Sequence, residues 1–224
     1  AFVSNPDSKS ISVIDLATRR VIDTLDGGSG PVGIDAAPDG SRLYVADWYR
    51  NALLVIDAAT HRRIAEVPVG KAPAGVAVAP DSRTIYVANR DDDAVGIIDA
   101  TSLRQVATLK AGSHPFAVGL VPDGSRLFAL NVWSHDVTVI DARTRETLAT
   151  IPVGNSPYGV AFSADGSRAW VTNQHAETVS VIDTAALRVV DTVAGGAYPE
   201  GIAVAGDKVV VVSWMDDCVH LLDA

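Results

Sequence analysis

An all-β fold of repeated four-stranded antiparallel units is predicted by three observations. The first is a set of landmarks that recur in one phase. An Ile/Leu-Asp pair ends at Asp15, Asp57, Asp99, Asp141, Asp183 and Asp223, with spacings of 42 residues and a last one of 40. Proline recurs in the same period at Pro31, Pro73, Pro115, Pro157 and Pro199. The second is the material between the landmarks, which consists of short runs rich in Val, Ile and Tyr bounded by turn residues. Such runs read as strands. The third is the lack of any sustained 3.6-residue period that would mark an amphipathic helix. Four short strands per 42 residues is the period of a propeller blade.

The unit that starts at Pro73 shows the four elements in order. Strand A spans Ala74 to Ala79 and is closed by the turn Pro80-Asp81-Ser82. Strand B spans Thr84 to Ala88 and opens into the polar loop Asn89 to Asp93. Strand C runs from Val95 to Ile98 and ends at Asp99, whose side chain suits a turn cap. Strand D spans Gln105 to Leu109 and leads to Ala111-Gly112. The A strands carry Gly33, Gly75, Gly159 and Gly201, with Ala117 in the remaining copy. Innermost strands converge, so missing side chains suit them. The B strands carry an aromatic-led segment in five copies, starting at Phe2, Tyr44, Tyr86, Phe128 and Trp170.

Counted this way, residues 1–224 form a single domain of 22 strands in about six blades, the first and last incomplete. The chain opens in strand B and ends after strand C. Three accounts of closure compete: a piece of a longer propeller, which is favoured, six blades with two strands absent, or five blades with two strands left over. Open strand edges invite pairing with another chain.

The segment Tyr86-Val87-Ala88-Asn89, the Val-Ile-Asp that ends strand C, the stretch Val69-Gly70-Lys71-Ala72-Pro73-Ala74-Gly75-Val76-Ala77 and the Pro-Asp-Gly turns together resemble the YVTN-type β-propeller repeat. The resemblance covers essentially the whole chain. It implies a propeller of seven or a similar number of blades, periplasmic or extracellular, as in archaeal surface-layer propellers, secreted bacterial propellers and the propeller subunits of quinone-cofactor amine dehydrogenases. It implies no single activity.

Composition excludes some functions. Lys plus Arg is 18 and Asp plus Glu is 27, a net charge of −9 that repels phosphate backbones and anionic lipid, so nucleic acid is not an expected partner. No apolar run is long enough to span a bilayer as a helix. The one cysteine, Cys218, precludes an intramolecular disulfide and is expected to be buried and inert.

Chemistry is expected on one face. In blade topology the D–A and B–C loops emerge together, and the A–B and C–D turns emerge opposite. The opposite face reads as turn formers, with Arg42, Arg83, Arg126 and Arg168 as a solvated ring of charge and His61 among its turns. The loop face is where repetition breaks down. The B–C loops open on Asn or Asp, expected to bond local backbone, and then vary. They hold Trp48, Tyr49, Trp133, His135, His175 and Trp214. Aromatics on loops held by a rigid scaffold suit ligand recognition, and the alternative is packing between blades. The D–A loops and the starts of the A strands contribute His114, Phe116, Tyr158, Tyr198 and Glu200. The three aromatic rings would form a crescent beside one carboxylate.

His114, His135, His175 and Glu200 are the weak candidate ligands for a divalent metal, with separate capping histidines as the alternative. Their spacing matches no metal motif. No other cofactor is expected. The run Asp91-Asp92-Asp93 lacks the alternation of a calcium loop. Gly27-Gly28-Ser29-Gly30 lacks the sequel of a phosphate loop, and no serine sits in a nucleophile elbow. Two functions follow. One is a non-enzymatic propeller that binds a protein or small molecule through its aromatic loop face. The other is an enzyme or enzyme subunit, either a metal-dependent lyase-like propeller or one associated with a quinoprotein dehydrogenase.

Overall fold

The computed structural model describes residues 1–224 as 22 strands and two single 3-10 turns, with no cis peptide bond. The strands fall into six antiparallel sheets, each a run of sequential neighbours. The first sheet is β1 (Phe2–Asn5), β2 (Ser10–Asp15) and β3 (Arg20–Asp26). The second is β4 (Pro31–Ala36), β5 (Arg42–Asp47), β6 (Ala52–Asp57) and β7 (Arg63–Pro68). The third is β8 (Pro73–Val78), β9 (Thr84–Asn89), β10 (Ala94–Asp99) and β11 (Arg104–Lys110). The fourth is β12 (Pro115–Leu120), β13 (Arg126–Asn131), β14 (Asp136–Asp141) and β15 (Thr147–Pro152). The fifth is β16 (Pro157–Phe162), β17 (Arg168–Asn173), β18 (Thr178–Asp183) and β19 (Arg188–Ala194). The sixth is β20 (Pro199–Ala205), β21 (Lys208–Ser213) and β22 (Cys218–Asp223).

These are six propeller blades, and the count of three, sixteen and three strands agrees with the repeat. Strands run about one residue longer than the apolar pattern suggests, because each repeated proline opens an A strand and each Asn or Asp closes a B strand. The blades belong to two compact units, residues 1–110 and residues 111–224, with three blades each.

Within each unit the blades pack face to face. In the first, Tyr44, Ala46, Leu53, Val55 and Val67 of the second blade meet Val76, Val78, Ile85, Val87 and Ile98 of the third. In the second, Phe128, Leu130, Val137, Val139 and Ile151 meet Ala169, Val171 and Ile182. The period-2 alternation of each strand therefore supplies both faces of a blade, one to each neighbour, which is why the B and C strands of the second and third blades are buried along nearly their whole length. Each D strand of the first and second blades buries one aliphatic residue, Leu25 or Val67, and exposes most of the rest.

Polar ties reinforce the packing and revise the reading of the opposite face. Arg42 donates to the Ala100 carbonyl of the next blade at 2.6 Å, and Arg126 donates to the Thr184 carbonyl of the next blade in its own unit. Arg168 instead pairs with Asp183 of its own blade at 2.7 Å. Arg83 lies one position out of the period, whose second member is Thr84, and is exposed. The expected solvated ring is two interblade ties, one ion pair and one free-standing surface residue. Cys218 is exposed, not buried, because it starts β22, an edge strand with no fourth strand beside it.

Candidate functional site

The loop face is built by a hydrogen-bond pattern repeated in successive blades. The residue after each B strand donates its backbone N–H to the carbonyl of the residue preceding the A-strand proline: Trp48 to Gly30 at 2.9 Å, Arg90 to Ala72 at 3.2 Å, Val132 to His114 at 3.0 Å, Gln174 to Ser156 at 2.9 Å and Trp214 to Tyr198 at 3.1 Å. In four of the five the accepting residue is left-handed although it is not glycine, with φ of 48° at Ala72, 55° at His114, 59° at Ser156 and 61° at Tyr198; Gly30 is not left-handed. A recurrent left-handed residue before proline turns its side chain toward the neighbouring B–C loop, so each blade brings a D–A residue against a B–C loop tip. The scaffold repeats and the paired side chains do not.

The Asn or Asp that opens each B–C loop anchors it, but not mainly through local backbone. Asn131 Nδ2 donates to Asp136 Oδ1 at 2.6 Å and Thr138 Oγ1 at 2.9 Å, and Asn173 Nδ2 donates to Thr178 Oγ1 and Ser180 Oγ. The partners are side chains five and seven residues on, across the hairpin. Asp47 is fully buried and accepts from the Ser29 and Gly30 N–H groups of the D–A loop. The predicted role is structural, as expected, and the partners differ.

In the first unit, Trp48 is half-buried and carries the Arg90 guanidinium 5.4 Å from its ring centroid, while Tyr49 is exposed with its ring over Gly30. Trp48 thus packs against the next blade, whereas Tyr49 is left at the surface.

In the second unit the predicted aromatics form three groups. His114 stacks on Trp133 with centroids 3.6 Å apart, and its Nδ1 is hydrogen-bonded to Ser113 Oγ at 3.1 Å. Phe116 stacks on Tyr158 at 4.4 Å. Burial, then the nearby Glu200 carboxylate and Tyr198, push the Tyr158 phenol up to about 12, so it stays protonated at ordinary pH. Glu200 accepts from Gln174 Nε2 at 2.7 Å. Tyr198 turns to the third group, where His175 Nε2 is hydrogen-bonded to its hydroxyl at 2.7 Å and His175 Nδ1 to Ser156 Oγ at 2.9 Å. Trp214 lies 5.6 Å from Tyr198. The expected crescent is thus a Phe116–Tyr158 stack beside Glu200, with Tyr198 joined to His175 and Trp214.

The four metal-ligand candidates do not converge. No group of three or more His, Cys, Asp or Glu side chains is placed to hold a metal ion. His135 Nδ1 accepts the Ser156 N–H at 3.1 Å, as Asn51 Oδ1 accepts the Ala72 N–H at 3.0 Å one period pair earlier. His135 is therefore a cap in a register that recurs every 42 residues, at a left-handed residue in each blade (Asn51, Asp93, His135, Glu177). Sequence reasoning missed Ser156 and Gln174, which hold His175 and Glu200. Their signal was the variable position inside a repeated frame.

A cleft of about 540 Å³ lies elsewhere, between the fifth and sixth blades, lined by Arg168, Trp170, Val193, Leu221 and Asp223. It contains none of the predicted site residues.

A scaffold of six repeated antiparallel blades defines a β-propeller. The chain belongs to the YNCE-like β-propeller family, whose model matches residues 1–82 and again residues 77–168. The narrower YVTN-type resemblance rests on its quoted motifs alone. Among solved structures, the chain is similar to hydrazine synthase of Kuenenia stuttgartiensis, at 26% identity and a TM-score of 0.77 over 81% of this chain. It spans 55% of that chain. No curated protein matches it. No helix is long and apolar enough to cross a membrane.

Proposed function

We propose that this chain is a non-catalytic recognition module that binds a protein or small ligand through its loop face, outside the cytoplasm. The observation that carries this reading is the exposure of Trp133 and Trp214, at 61% and 62%, on loops fixed by the repeated backbone bonds. Large aromatics held rigidly at a surface supply contact area at low entropic cost. Acidity argues against nucleic acid. The test is co-purification from the native host with wild type and with Trp133→Ala/Trp214→Ala. The reading expects a partner or ligand that is lost from the double variant and retained by Arg168→Ala on the opposite face. A ligand or partner retained by the double variant contradicts it.

A second reading, an enzyme-subunit propeller, is favoured by the likeness to hydrazine synthase. A stoichiometric redox cofactor or metal on natively purified protein would support that reading over the first.

A further inference from the structure

The second unit is strongly polarised in charge. It carries 13 Asp and Glu against 6 Lys and Arg, whereas the first unit carries 14 against 12. All six cations of the second unit, Arg126, Arg143, Arg145, Arg168, Arg188 and Lys208, lie in or beside the A–B and C–D turns of the opposite face. Its D–A and B–C loops contain no Lys or Arg. At that end stand Asp136, Glu177, Glu200, Asp216 and Asp217.

The same loops in the first unit are chemically different. They carry Lys9, Arg50, Lys71 and Arg90, and the last three each pair with a carboxylate: Glu66 at 3.1 Å, Asp92 at 4.0 Å and Asp91 at 2.6 Å. In the second unit the carboxylates are held by uncharged donors instead. Asp136 accepts from Asn131, Glu200 from Gln174, and Asp216 from the Ala197 N–H at 2.6 Å. The His220 imidazole, 3.5 Å from Asp216, is the one basic group in ion-pair range of them. Such donors position a carboxylate without cancelling its charge. The same B–C loops expose Trp133, Trp214 and Met215, the last at 64%. Aromatic faces attract cations, and more strongly when carboxylates flank them.

Resting on the recognition reading above, we infer that the loop face of residues 111–224 docks a basic segment of a partner protein. Its Lys and Arg side chains lie over Trp133 and Trp214 and pair with Glu177, Asp216 and Asp217. The carboxylates and aromatics are spread over three blades on an open surface, which suits an extended segment with several cations better than one small cation. Complementary charge of this kind speeds encounter and makes it salt-dependent.

The experiment titrates a peptide of about twelve alternating lysine and glycine residues, and its glutamate counterpart, against the whole chain, read by tryptophan fluorescence and calorimetry. Two charge-removing triples are compared, each checked for native circular dichroism: Glu177→Gln/Asp216→Asn/Asp217→Asn on the loop face, and Glu146→Gln/Asp207→Asn/Asp223→Asn on the opposite face. The lysine peptide is expected to bind wild type, and to bind about tenfold or more weakly when salt rises from about 20 to about 300 mM. The loop-face triple and Trp133→Ala/Trp214→Ala should each weaken it about fivefold or more, and the opposite-face triple less than about twofold.

Equal loss in both triples, or no binding of the lysine peptide, overturns the inference. Binding of the glutamate peptide that depends on Trp133 and Trp214 also overturns it, yet leaves the recognition reading standing. The co-purified partner of the preceding test decides that reading separately.

Discussion

Gly159 and Gly201 occupy the same place in successive A strands, and the structure separates their roles. A β-carbon at Gly159 would come within 2.4 Å of the Glu200 carbonyl of the next blade, and one at Gly33 within 2.1 Å of the Ala74 carbonyl. At Gly201 the nearest atoms would be at 3.8 Å, an ordinary contact. Gly159→Ala should therefore cost about 1–3 kcal/mol by overpacking, and Gly201→Ala less than about 0.5 kcal/mol, as measured by urea unfolding. Arg42 is a second residue-scale case. Its loss strands the buried Ala100 carbonyl, so Arg42→Ala should destabilise by about 1–3 kcal/mol in the same measurement, while exposed Arg83→Ala should be near neutral.

At the scale of the element, aspartates organise the turns. Asp15, Asp57, Asp99 and Asp141 each accept the backbone N–H three residues on, at 2.6 to 2.7 Å, and Asp39, Asp123 and Asp165 accept the N–H two residues on at 2.9 Å. Hydrogen bonds from Ser, Thr and backbone hold these carboxyls below their usual range, Asp165 down to about 2. A folded-state value below the unfolded one means that the stabilisation is present in full above the unfolded value and is lost as pH falls through the folded one. The melting temperature is accordingly expected to hold from neutrality down to about pH 5 and to fall between about pH 4 and pH 2.

Asp35 works in the other direction. Burial raises its carboxyl although it accepts the Val78 N–H at 2.8 Å, so folding is penalised once pH rises above the unfolded value and through the folded one. Asp35→Asn should raise the melting temperature at neutral pH, with the gain vanishing in acid. A gain that persists in acid would contradict that account.

Across the whole molecule, the repeat was legible because its landmarks are local. The A-strand prolines, the Asp that ends each C strand and the aromatic at the third position of most B strands sit at fixed spacing, and all 22 strands follow from them. What sequence reasoning lost were contacts that cross the period. Arg42 meets Ala100 58 residues on, and His135 meets Ser156 21 residues on, so a recurrent Arg reads as surface charge and an isolated His as a ligand. The aromatic residues of the site were legible from where repetition stops. Their pairing was not, because it depends on which D–A side chain a left-handed backbone turns toward which loop tip.

The central claim is that the loop face, and not the opposite face, is the working surface. Oxidative footprinting of the chain with and without the partner it co-purifies with tests this most directly, because Trp133, Trp214 and Met215 are exposed and oxidisable. Partner binding is expected to slow oxidation of these three residues and to leave exposed Leu16, in a C–D turn of the opposite face, largely unchanged. Unaltered oxidation of all three, with protection confined to the A–B and C–D turns, would contradict it.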